Sequence, residues 1–207
     1  CIYLSGERSN FIKALIIASI ILLLIDDAHF YIKKKYIFLF IIIGIALPTL
    51  ISKDIYLRQI GFFKRIQIYN QGSIYKKFGH LKHFVHYDTA WQIFKDYPIN
   101  GIGNSKFRYI CHDKKYFNAE IKLSYQRCSN HPHQVHFEIL SEEGIIGYLI
   151  IIFVIFKILF DSLKAYRKTV SITHLSSILF VVTFFIPLLP SGSFFSTFNA
   201  SIFWINF

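Results

Sequence analysis

The sequence predicts an all-α, polytopic transmembrane helical protein with one large external loop that contains short helices. Three observations predict it. Hydrophobic residues make up 54% of the chain and aromatics 18%, a composition typical of membrane proteins rather than of soluble domains. The apolar residues fall in blocks separated by charged segments. Four of those blocks, residues 11–25, 36–51, 145–160 and 175–189, are each about one bilayer span long at about 1.5 Å of rise per residue, once flanking side chains snorkel.

The first two blocks bracket residues 26–35, which carry Lys33, Lys34 and Lys35. The last two bracket residues 157–174 with Lys157, Lys164, Arg167 and Lys168, and residues 190–199 hold no charge at all. Lysine and arginine in short loops favour the inner side of a membrane. That rule sets the first and third connections inside, and the long middle segment and residues 190–199 outside. The resulting organisation is residues 1–51 as transmembrane helices with Arg8 outside, residues 52–142 as the external loop, and residues 143–207 as the closing helices. The chain opens on Cys1-Ile2-Tyr3-Leu4, has no methionine, and ends within an apolar run at 200–207. It is expected to be a piece of a longer protein.

Residues 52–138 hold fourteen Lys and Arg against six Asp and Glu. Long loops translocate largely regardless of charge, so the excess does not argue against an outside location. It argues for attraction of an anion, either a substrate or lipid headgroups of the membrane itself. Nucleic acid is excluded as a partner: a loop on the outer face does not meet it, and the aromatics form no nucleic-acid-binding pattern. A transporter or membrane sensor is the non-enzyme alternative. The spans are nearly free of ionisable groups apart from Lys13 and Lys157, which counts against a transporter.

Within the external loop, residues 88–94 read as an amphipathic helix, residues 97–104 as a turn-rich break, and residues 132–140 as a helix that enters the next span. Gly101 and Gly103 allow a tight turn or close approach of the backbone. The stretch His131-Pro132-His133-Gln134-Val135-His136 concentrates groups that titrate near neutral pH where loop meets apolar helix. His80, His83 and His86 form a second set spaced at i, i+3 and i+6. A metal is conceivable at either set, but no carboxylate or thiolate is spaced to complete one. Cys111 and Cys128 both lie in the external loop, where the spacing is compatible with a disulfide and with two free thiols.

Taken together, Ala90-Trp91-Gln92-Ile93-Phe94-Lys95-Asp96-Tyr97-Pro98-Ile99-Asn100-Gly101-Ile102-Gly103-Asn104-Ser105-Lys106-Phe107, the run from His133 through Glu138, Glu142 and Gly144 to Gly147, and more weakly Ser5-Gly6-Glu7-Arg8-Ser9 resemble the O-antigen ligase and polymerase family of bacterial membrane glycosyltransferases. The resemblance implies a piece from the C-terminal half of a protein of about a dozen helices in the bacterial inner membrane, with its active site facing the periplasm. It implies transfer of a glycan from undecaprenyl pyrophosphate to a hydroxyl acceptor, first of all lipid A-core. O-antigen polymerase and protein O-oligosaccharyltransferase are the alternatives. It also implies no metal and no cofactor.

Such transfer needs a base for the acceptor proton and a cation for the departing pyrophosphate. His133 matches the family histidine and is the expected base. Arg8 is the expected phosphate contact, because a guanidinium grips oxyanions in a bidentate fork. Family members often have a second arginine ahead of the Ala-Trp helix, about where Lys82 and His83 stand, and this chain departs from that pattern. Lys82, His83 or Arg65 is expected to substitute. Gln134 stands where asparagine is common, and it is expected to contact substrate through its amide.

Overall fold

The computed structural model describes residues 8–24, 78–79 and 81–205, with scattered positions between 36 and 75. The chain divides into two compact units, Cys1–Asn70 and Gln71–Phe207. All regular structure among the described residues is helical. In the first unit, α1 spans Arg8–Leu24. The second expected span, residues 36–51, lies mostly outside the described residues.

In the second unit, α2 (Lys82–Asp96) leads to the short α3 (Phe107–Ile110) and two 3₁₀ turns, Lys114–Tyr116 and Ser124–Gln126. Then follow α4 (Val135–Thr169), α5 (Ile172–Phe184) and α6 (Thr197–Ile205). Helix α2 extends beyond the expected 88–94 at both ends because its buried face is partly polar. Val85, His86, Thr89, Ala90 and Ile93 are all buried. Thr89 fits there by donating its Oγ1 to the Val85 carbonyl at 2.8 Å, which leaves no unpaired hydroxyl.

Helix α4 is the one described helix long and apolar enough to cross a membrane. Beyond residue 144 its outward side chains remain uncovered: Phe153, Phe156 and Phe160 are 70%, 68% and 68% exposed. In water, an apolar stripe of that size has no stable place. Lys157 on this face pairs with Asp161 at 2.9 Å, one turn away. Helix α5 stops at Phe184, short of the expected 175–189. Pro187 explains the end, since it has no N–H to donate and disfavours a helical residue before it.

Helix α4 is also not one continuous helix. Gly144 has φ 65° and ψ −168°, and the backbone ladder breaks there. The carbonyls of Ser141 and Glu142, freed by the break, accept from Ile102 N at 3.0 Å and Gly103 N at 2.7 Å. The freed N–H groups of Ile145 and Ile146 donate to Pro98 O at 2.8 Å and Ile99 O at 3.4 Å. Four backbone groups released by the break thus find partners in the 98–103 turn, as burial of a helix break favours. The Glu142 carboxylate adds two more bonds, accepting from Ser105 N at 2.7 Å and Phe107 N at 3.0 Å. The two motifs, some forty residues apart in sequence, are one backbone-to-backbone joint.

Two apolar clusters hold the unit together. One joins Val135, Ile139 and Ile155 of α4 to Val181, Phe194 and Phe203. The other packs Ala90 and Ile93 of α2 against Phe107, Cys111 and Tyr116. Cys111 and Cys128 are disulfide-bonded, with Cα atoms 5.3 Å apart, so the alternative that the sequence left open resolves to the pair. Closing a loop of this length stabilises a fold by about 3 kcal/mol in the chain-entropy picture. Cys128→Ser should therefore lower the thermal midpoint of the detergent-solubilised protein. Dithiothreitol should lower the wild-type midpoint and leave the variant's unchanged, and equal midpoints for all samples would show that the bridge is dispensable.

Candidate active site

The residues that lead into α4 build the site. Gln134 is the N-cap: it is 1% exposed, and its Oε1 accepts from Phe137 N at 3.0 Å. Its Nε2 is buried without a partner among the described residues. One residue earlier, His133 has φ 62°, in the left-handed region. Histidine enters that region more readily than most side chains, still at some cost in strain. The neighbouring loop holds it there, because Ser191 N donates to the His133 carbonyl at 2.8 Å.

The His133 ring is half-buried, with Nε2 2.9 Å from Ser129 Oγ. A hydroxyl can serve either imidazole tautomer, so this contact orients the ring without fixing its proton. Three further imidazoles surround it. The His131 ring centroid is 4.2 Å away, and those of His83 and His86 are each 5.2 Å away. Burial, followed by the neighbouring histidines and Lys82, pushes His133 down to about 3. His86 is fully buried with both ring nitrogens unpaired among the described residues, and burial first, then His83, Lys82 and His131, pushes it down to about 4. Burial also lowers His131. His86, His131 and His133 are therefore neutral near pH 7 and resist taking up a proton without a compensating negative charge.

His136 stands apart from these four. Its Nε2 donates to the Phe185 carbonyl at 2.9 Å and its Nδ1 accepts from the Tyr148 hydroxyl at 3.1 Å, which ties α4 to the end of α5. The two histidine sets in the sequence thus regroup. His83 and His86 join His131 and His133, His136 takes a packing role, and His80 lies outside the described residues. Among the described residues, the one His/Cys/Asp/Glu grouping tight enough for a metal is Cys111, His112 and Cys128. Its two sulfurs are bonded to each other and cannot act as thiolate ligands.

Of the expected site residues, the structure brings together His133, Gln134, His83 and Lys82, the last two exposed at the start of α2. Arg8 is the first residue of α1, in the other unit, and its side chain and all of Arg65 lie outside the described residues.

Sequence reasoning missed two contributors. One is His86, which looked like part of a separate set. The other is the uncharged segment 190–199, whose Ser191 holds His133 and whose Ser193 Oγ and Phe194 N (the latter at 2.8 Å) both donate to the buried Glu138 carboxylate. Glu138 lies one turn into α4 and anchors this segment over the histidines. The available signal was an acidic residue, Glu138, set between Phe137 and Ile139 in the first turns of α4.

A search of curated proteins returns no match. A family profile described as O-Antigen ligase matches residues 1–152, a stretch that contains both motifs and all four clustered histidines. That match covers well over half of the chain, which belongs to the O-antigen ligase family.

Proposed function

We propose that this chain transfers a glycan from undecaprenyl pyrophosphate to lipid A-core at the periplasmic face of the bacterial inner membrane. The family is a membrane-associated group of glycosyltransferase-like ligases and polymerases, and ligation is the reading advanced for this member. The observation that carries it is His133: a half-buried, neutral imidazole held by a strained turn where a polar loop meets a long apolar helix. A neutral imidazole can take the acceptor hydroxyl's proton as that oxygen attacks the sugar carbon and the carrier pyrophosphate leaves. Arg8 is assigned to neutralise that pyrophosphate, and within the second unit Lys82 and His83 lie beside His133. Gln134 acts through its cap, which fixes where α4 begins and so where His133 sits.

The acceptor separates this reading from a polymerase, which would add the same glycan to another repeat. The test is the glycan made by a strain lacking the gene. Loss of all polymer on lipid A-core with carrier-linked polymer retained is the expected result. Lipid A-core capped by single repeats would instead identify a polymerase, and unchanged glycan would reject both.

A further inference from the structure

A cavity of about 280 Å³ opens beside the histidine cluster, lined among others by Arg108, Asn130, His131, Ser193, Ser196 and Asn199. Three separate stretches build it: Ser105 and Arg108 at the end of the first motif and the start of α3, the loop before His133, and the 190–199 segment. No carboxylate is among its lining residues: Glu138 is sealed behind Ser193, and Glu142, which feels the Arg108 charge, is buried and spends its oxygens on Ser105 N and Phe107 N. The 190–199 wall is already ordered. Asn199 Nδ2 donates to the Ser193 carbonyl at 2.9 Å, and Ser196 Oγ donates to the same oxygen at 3.1 Å.

Arg108 is the one full positive charge in that lining. It is exposed and forms no hydrogen bond or ion pair among the described residues. The contrast with Arg127 is informative, since the Arg127 guanidinium is committed to the carbonyls of His112 at 2.9 Å and Asp113 at 3.4 Å. The Arg108 charge is close enough to His131 to add to the effect of burial on that ring. A second cavity, of about 340 Å³, lies against α2, but its Lys115 is tied to Asp96 at 2.7 Å and Asp88 adds a further carboxyl. That second site repels anions, whereas the first attracts them.

We propose that the Arg108 cavity is an oxyanion-binding subsite that seats an anionic group of the glycan substrate against His131, two residues before the base. The proposal rests on the glycosyl-transfer reading for the identity of that substrate. The guanidinium offers a fork of parallel donors, and the amides and hydroxyls around it suit the oxygens of a phosphate or a carboxylate and the sugar hydroxyls beside them. Two sources carry this chemistry: the diphosphate at the glycan's reducing end, and the carboxylate of an acidic sugar.

The test is binding of inorganic pyrophosphate and of glucuronate to the full detergent-solubilised protein, measured by calorimetry without any transfer reaction. Wild type should bind at least one of them. Arg108→Ala should weaken that binding about tenfold or more, a loss typical of a charge-assisted contact, and Arg108→Lys should fall between. Binding of pyrophosphate alone assigns the cavity to the donor's diphosphate, and of glucuronate alone to an acidic sugar. Because Arg108 is exposed and unpaired, its loss should leave the thermal midpoint unchanged. His133→Ala should keep the binding. If neither probe binds, or Arg108→Ala binds as well as wild type, the proposal is overturned. Arg108-dependent binding in a protein that transfers no glycan would keep the subsite and reject the glycosyl-transfer reading.

Discussion

His133→Ala should nearly abolish transfer in a purified system of protein, carrier-linked glycan and acceptor, while the variant still inserts into the membrane. General-base catalysis contributes about 100-fold to 10,000-fold, and a single half-exposed loop side chain contributes little to folding. His131→Ala should retain more activity. His136→Ala should act on stability instead, because its Nε2 ties α4 to the end of α5 and its Nδ1 reaches Tyr148 across the Gly144 break. The pH dependence adds a sharper expectation. A group lowered to about 3 in the free protein stays deprotonated far below the ordinary imidazole value of about 6.5. The acid limb of kcat/KM, which reports the free protein, should therefore fall well below pH 6.5 if it is set by His133. A bound diphosphate leaves the burial in place but adds a negative charge that favours the imidazolium, so the acid limb of kcat should lie at higher pH than that of kcat/KM. Near-normal turnover by His133→Ala would sink the mechanism.

Gly144→Ala should be the most damaging single-methyl change in the second unit. A Cβ at position 144 would stand 2.3 Å from the Ile99 carbonyl oxygen and 2.6 Å from Gly101 N, and the backbone conformation there is open essentially to glycine alone. Backbone strain and disturbance of the four cross-motif bonds together should cost about 3 kcal/mol or more. Hydrogen exchange should report the damage as lost protection of the amides of Ile102, Gly103, Ile145 and Ile146. Gly103→Ala is the control. It also has a positive φ, but its added methyl would meet nothing closer than Lys106 Cγ at 3.6 Å, so its effect should be clearly smaller. Equal stability of Gly144→Ala and wild type would mean that the two motifs are not locked together.

Much of this architecture was readable from residues alone, and what was missed shares a physical cause. The helix around Ala90 and Trp91, the turn at 97–104 and the long apolar α4 each carry a local signal. The joint between the motifs does not, because it is made almost wholly by backbone groups, which every residue possesses. Gly101 and Gly144 were its only trace. The histidine cluster was hidden differently. His83 and His86 are one helical turn apart and visibly share a face, but nothing local indicates that they meet His131 and His133 some fifty residues later. Arg108 sat among other loop cations, and only the tertiary structure separates it from Arg127, whose donors are spent on carbonyls. Segment 190–199 looked inert because serine, glycine and asparagine gain meaning only from what they touch. The pairing of Cys111 with Cys128 was undecided because sequence spacing says nothing of the distance between two chain segments.

The broken helix also works as a depth gauge. Ile145 and Ile146, the first residues of the apolar stretch, are bonded through their own amides to the 98–103 turn rather than to the helical turn before them. The vertical position of that stretch in a bilayer is thereby passed directly to the loop, with no hinge between them to absorb a mismatch. Sliding the apolar stretch by one residue would carry the loop, and the histidines packed behind it, about 1.5 Å up or down. On the proposed function, the height of His133 relative to the lipid surface, where a lipid-borne substrate would present its reactive end, is thus set by where the greasy part of α4 begins.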